Sequence, residues 1–185
     1  MKILAISGSL RAASHNTALL RAAAELAPEG VELELYENLE ALPPYNEDRD
    51  TDQPPAEVAR LRTAIKNADA VLFATPEYNT TMPGQVKQVV DWASRPYGSD
   101  SSLWGKPVAA IGASVTDYGA MWAQDHLRSA LALAGARVLK TELAVAKAQD
   151  RFDSDGYLID PETQDQLSAL VEELVNHHHE FAATV

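Results

Sequence analysis

Nine consecutive residues, Gly8-Ser9-Leu10-Arg11-Ala12-Ala13-Ser14-His15-Asn16, carry the densest chemistry in this chain. They follow the apolar run Ile3-Leu4-Ala5-Ile6 and precede Leu19, Ala23 and Leu26 at helical spacing. A strand that turns sharply through Gly-Ser into a helix aims free backbone N–H groups at one point, where the helix dipole favours an anion. Ser9, Ser14, Asn16 and Thr17 add hydrogen-bonding side chains, and Arg11 adds a fixed positive charge with a planar fork of donors. The pattern is that of a phosphate cradle. The bland alternative is an ordinary turn with Ser14 or Asn16 as helix N-cap, but a cap has no need of Arg11. Two common nucleotide motifs fail on spacing: G-x-G-x-x-G is represented by Gly8 alone, and no Gly-Lys-Ser/Thr follows at the P-loop distance.

Two further loops offer complementary groups. In Thr75-Pro76-Glu77-Tyr78-Asn79-Thr80-Thr81-Met82-Pro83-Gly84, two prolines stiffen the backbone, and Tyr78 beside Asn79 suits a planar heterocycle. Glu77 reads as a solvated carboxylate rather than a general base. Ala113-Ser114-Val115-Thr116-Asp117-Tyr118-Gly119 places Ser114 at a strand end and Gly119 near a helix start, where backbone can approach a ligand closely. Asp117 and Trp122 read as turn and helix residues.

Bringing these loops together requires a particular fold. Strands are expected at Lys2–Ser7, Val31–Tyr36, Ala70–Thr75, Val108–Ser114 and Glu142–Ala146, alternating with helices at Thr17–Ala27, Pro55–Asn67, Pro83–Ser94, Ala120–Ala134 and Pro161–His178. Right-handed crossovers then give a doubly wound α/β fold, a five-stranded parallel sheet with helices on both faces. The order 2-1-3-4-5, flavodoxin-like, puts the ligand at the carboxyl ends of the strands, at the switch point between strands 1 and 3. One domain over residues 1–185 is expected. The acidic stretch Glu37–Pro54 is long enough to suggest a functional role.

Composition sets limits on function. The 185 residues are 46% hydrophobic and lack cysteine, which excludes disulfides, thiolate metal sites and cysteine nucleophiles. The net charge of -12 argues against nucleic acid or anionic membrane as partner. No apolar run approaches the roughly 20 residues needed to span a bilayer, so a cytoplasmic protein is expected. His177-His178-His179 point about 100° apart around a helix, so no metal site is assigned. His15 and His126 read as surface or motif neighbours, and Lys87 with Asp91 as a surface ion pair.

Gly8-Ser9-Leu10-Arg11 with Ser14 and Asn16, then Thr75-Pro76-Glu77-Tyr78-Asn79 with Pro83-Gly84, Lys87 and Asp91-Trp92, resemble the NAD(P)H-dependent FMN reductase family, the flavodoxin-like group of quinone, azo-dye and chromate reductases. Gly105-Lys106-Pro107-Val108 and Ala123-Gln124-Asp125-His126-Leu127-Arg128 extend the resemblance over roughly residues 2–146. The first two motifs together are specific. The resemblance implies non-covalent FMN, with its phosphate on Ser9, Arg11, Ser14, Asn16 and Thr17. It places the ring against Pro76, Glu77, Tyr78 and Asn79, largely through backbone groups, with Ser114 touching it from the third loop. It further implies NADPH or NADH as co-substrate, a small-molecule electron acceptor, no catalytic side chain, and a homodimer or homotetramer with the site beside the dimer interface. The chain departs from the family by carrying Val115, Thr116, Ala120 and Met121 where small residues are often found, which would narrow the space above the flavin. Two other readings use the same fold: a flavodoxin-like electron carrier, and a flavin-free binding subunit.

Overall fold

The computed structural model describes residues 1–182. Its elements are β1 (Lys2–Ser7), α1 (His15–Glu25), β2 (Glu32–Leu35), α2 (Ala56–Asn67), β3 (Ala70–Ala74), α3 (Gly84–Ala93), β4 (Pro107–Ala113), α4 (Met121–Leu133), β5 (Arg137–Val138), β6 (Leu143–Val145) and α5 (Pro161–Ala182). The sheet is parallel in the order β2-β1-β3-β4-β5, the order expected from the sequence. Every residue of β3 and β4 is buried, which explains their unbroken apolar runs.

The expected fifth strand is two short ones. β5 pairs with Pro107 and Val108, and β6 pairs with Ile111 to Ala113, both along the free side of β4. Between the partners of Val108 and Ile111 this edge takes five steps, Val138 to Leu143, against three on β4. The polar stretch Lys140-Thr141-Glu142 loops out there, so only the Glu142–Ala146 part of the lane carried a readable strand signal.

The pleat divides the core in two. Ile3 and Ala5 face α1 and α5, joined by Leu72, Ile111, Leu167, Leu170 and Leu174. Leu4 and Ile6 face α2, α3 and α4, joined by Val58, Leu61, Val86, Val89, Leu127 and Leu131. The α5 helix extends beyond the expected His178, so the three histidines lie within helix rather than at its end.

The Glu37–Pro54 stretch is a cover for α2 and α3. Two 3₁₀ turns shape it, Leu39–Ala41 and Glu47–Arg49. Trp92 Nε1 donates to Pro43 O at 2.8 Å, and Arg62 pairs with Asp50 at 2.7 Å. Gln85 Nε2 donates to Leu42 O at 3.0 Å.

Candidate functional site

The first loop leaves β1 at Gly8, whose N–H donates to Ala74 O at 2.7 Å. A Cβ at Gly8 would fall 2.5 Å from Val86 Cγ2 and 3.1 Å from Pro76 Cδ. Glycine therefore lets the first and second loops lie against each other. Ser14 is the N-cap of α1: its backbone is extended and its Oγ accepts from Thr17 N–H at 3.3 Å. The capping role foreseen as the bland alternative leaves the Ser14 hydroxyl proton available to an anion. Helix geometry leaves the N–H groups of His15 and Asn16 without intrahelical acceptors. No acidic residue occupies the first turn of α1. Ser9 Oγ accepts from Arg11 N–H at 3.4 Å, which shapes the loop and leaves the exposed Arg11 guanidinium as the nearby cation.

The second loop is a stiff platform. Buried Thr75 donates its hydroxyl to Pro76 O at 2.8 Å. Tyr78 and Thr81 exchange both backbone hydrogen bonds, at 3.0 and 3.2 Å, around Asn79 and Thr80. Their φ angles of 51° and 62° mark a type I′ hairpin turn. Thr80 is β-branched in a region that suits glycine, a conformation that stores strain. Glu77 is not simply solvated: its Oε2 accepts from the N–H of Trp122 at 3.1 Å and of Ala123 at 3.2 Å, at the start of α4.

The third loop is held from both sides. The Asn16 side chain accepts from Ala113 N–H at 2.9 Å and donates to Ala113 O at 3.0 Å. Ser114 N–H donates to Val145 O, and Ser114 Oγ accepts from Thr116 N–H at 3.2 Å. At Gly119, φ is 56° and a Cβ would lie 2.4 Å from the Ala144 carbonyl carbon, so only glycine fits.

These loops enclose a cleft of about 250 Å³. Of the ten residues expected at the site, Ser9, Arg11, Ser14, Asn16, Pro76, Glu77, Tyr78 and Ser114 line it. Thr17 does not: its hydroxyl bonds Ser7 Oγ at 2.7 Å, and it lines a smaller cleft of about 180 Å³ that shares Ser9 with the first. Asn79 is also outside the lining, at the exposed tip of the hairpin. Asn16 lines the cleft, but both ends of its amide are spent on Ala113, leaving its backbone N–H for an anion.

Four lining residues were not foreseen as site residues: His15, Ala113, Val115 and Thr116. His15 was flanked by two cradle residues in the sequence, and that adjacency was the available signal. Its ring lies 5.3 Å from the ring of Phe152. Burial and the nearby Arg11 charge hold its pKa below the usual histidine value. Of the four departures in the third loop, Val115 and Thr116 line the cleft, while Ala120 is buried and Met121 lies outside the lining.

The donors and the floor fit FMN. Hydroxyls, free helix N–H groups and a guanidinium suit a phosphate monoester. Pro76 and the half-exposed Tyr78 offer a flat apolar surface beside them. A doubly wound parallel sheet that presents an anion cradle and a planar floor at its switch point defines a flavodoxin-like flavoenzyme.

The chain belongs to the NADPH-dependent FMN reductase family, whose model matches residues 1–150. It is 44% identical to an NAD(P)H-dependent FMN reductase of Pseudomonas aeruginosa, over 92% of this chain and 93% of that one. It is 39% identical to a 2-hydroxy-1,4-benzoquinone reductase of a Burkholderia species, over 93% of each. Among solved structures, FerB, a flavoenzyme NAD(P)H:(acceptor) oxidoreductase from Paracoccus denitrificans, superposes with a TM-score of 0.87 at 36% identity, covering 97% of both chains. The protein is thus an oxidoreductase that works with FMN and NAD(P)H on small-molecule acceptors. Among the described residues, no helix is long and apolar enough to cross a membrane.

Proposed function

We propose that this reductase holds FMN in the cleft between the loops that follow β1, β3 and β4 and reduces small quinones. One observation carries the assignment: a cationic, acid-free helix N-terminus and a proline-stiffened floor share one cleft at the switch point. When bound, FMN supplies the chemistry, accepting hydride from the nicotinamide and giving up electrons to the acceptor.

The chain's own residues bind, orient and exclude. The hydroxyls of Ser9 and Ser14 and the N–H groups of His15 and Asn16 hold the phosphate, with Arg11 balancing its charge. Pro76, Glu77 and Tyr78 set the plane of the ring through backbone and apolar surface. Ser114 reaches the ring from the third loop, and Val115 and Thr116 limit the height of what stacks on it. Thr17 and Asn79 support the loop conformations rather than touching the cofactor. No side chain is required to move a proton.

The benzoquinone-reducing relative supports a quinone as acceptor. The exposed apolar groups near the cleft, Leu10, Val115, Tyr118 and Trp122, favour a homodimer covering this face in the cytoplasm, with pairing into a tetramer as the larger form.

A visible spectrum under nitrogen tests the proposal. The purified protein should be yellow, bleach on NADPH, and regain colour when a benzoquinone is added. A flavin that NADPH cannot bleach would make the protein an electron carrier. Protein that stays colourless after incubation with FMN would make it a flavin-free subunit.

A further inference from the structure

We infer that the Glu77 carboxylate is a positioning group that fastens the second loop, and with it the floor made by Pro76 and Tyr78, to the N-terminus of α4. The consequence for flavin binding rests on the reading of the cleft given above; the fastening itself stands on geometry alone.

The helix has no cap of its own. Its N-cap position is Ala120, in the left-handed conformation at φ 63°, and no side chain of the preceding loop bonds its first turn. An α-helix begins with N–H groups that lack intrahelical acceptors. Here Glu77 Oε2 takes two of them, those of Trp122 and Ala123, arriving from 45 and 46 residues earlier in the chain. A carboxylate at a helix N-terminus also gains from the dipole.

A second tie lies one turn further along α4. Thr81 Oγ1 and His126 Nδ1 are 2.9 Å apart. Thr81 is itself bound to Tyr78 by both backbone hydrogen bonds of the hairpin. Loop and helix are thus joined before and after the turn, and the residues between the joints are Tyr78, Asn79 and Thr80. With Glu77 removed, Pro76 remains attached to the sheet through Thr75, whose N–H donates to Ile111 O at 2.9 Å. What is lost is the joint before the turn, nearest the floor; the Thr81–His126 joint after the turn remains.

A group that merely caps a helix and one that positions a binding floor differ in what they move. Glu77→Ala removes the acceptor, and Glu77→Gln keeps one neutral acceptor oxygen at similar length. Two measurements on the full chain separate the cases. The first is amide exchange at Trp122 and Ala123 in the flavin-free protein. The second is the affinity for riboflavin and for FMN, read by quenching of flavin fluorescence.

In Glu77→Ala, both amides should exchange at least about tenfold faster, as expected when hydrogen bonds to a charged acceptor are lost. Riboflavin and FMN should weaken by the same factor, about tenfold, because the floor and not the phosphate cradle is disturbed. Glu77→Gln should stay within about threefold of the parent in both measurements. The inference is overturned if folded Glu77→Ala binds riboflavin within twofold of the parent, since the carboxylate is then only a cap. It is equally overturned if Glu77→Gln is as impaired as Glu77→Ala in riboflavin affinity, since the charge and not the fastening then matters. Unchanged exchange at Trp122 and Ala123 would remove the fastening itself. A parent protein that binds neither flavin refutes the cofactor reading instead, and the exchange arm still decides the fastening.

Discussion

Replacing Arg11 by alanine tests the phosphate cradle most directly. The guanidinium is exposed, while the loop backbone beneath it is held separately by the Arg11 N–H to Ser9 Oγ bond. The substitution therefore removes a cation and a donor fork without loosening the loop. A phosphate monoester carries about −1.5 to −2 charges at neutral pH. A hydrogen bond to such a charged group contributes about 1.5–3 kcal/mol. Solvent exposure of Arg11 pulls the expected loss toward the lower half of that range. At about 1.4 kcal/mol per tenfold, FMN affinity should fall roughly 10- to 50-fold. Riboflavin, which lacks the phosphate, should lose less than about twofold. The FMN penalty should shrink as salt rises from about 0.1 to 1 M, because the Debye length drops from about 10 to 3 Å. Arg11→Lys should fall between the two, retaining the charge but not the planar fork. Equilibrium titration of flavin fluorescence measures all four quantities. If Arg11→Ala binds FMN within about threefold of the parent at 0.1 M salt, Arg11 does not hold the phosphate.

Other consequences can be checked on stability. Thr80→Gly should raise stability in urea denaturation by about 1 kcal/mol, since glycine relieves the left-handed strain at φ 62° and loses part of the gain to its own chain entropy. Asn16→Ala should cost about 2–4 kcal/mol in the same assay, because two hydrogen bonds vanish and the buried Ala113 N–H and C=O lose their partner. The Asp160 carboxylate is held below its usual pKa by hydrogen bonds from the Thr163 hydroxyl and N–H, and by Arg151. Because its folded pKa is depressed, its contribution is complete above the unfolded value and is lost as pH falls through the folded one. The melting temperature of the parent should therefore fall more steeply than that of Asp160→Asn below about pH 4.

The parts of this protein legible in its sequence are those whose signal is local. Ile3 to Ile6 and Ala70 to Ala74 announce buried strands by unbroken apolar runs, and Val58, Leu61 and Ile65 announce one face of a helix by their spacing. Ser9, Arg11 and Ser14 fall within six residues and line one cleft, so the phosphate chemistry proposed for them can be read without knowing what surrounds them. The count and alternation of elements point to a doubly wound parallel sheet, for which the observed order is the natural choice. Tertiary structure decided the rest, because the deciding partners are far apart in the chain. The Asn16 amide is spent on Ala113, 97 residues away, and Glu77 caps a helix that starts more than 40 residues later. Neither partner leaves a mark on local spacing. The break in the edge strand has the same origin: β5 and β6 exist only as pairings with opposite ends of β4. By itself the sequence determines that a cluster of hydroxyls and one guanidinium, the phosphate cradle proposed above, follows the first strand. Packing of the three loops then decides which of its side chains face the cleft and which hold the walls, since each polar group has few hydrogen bonds to give and the fold claims some of them first.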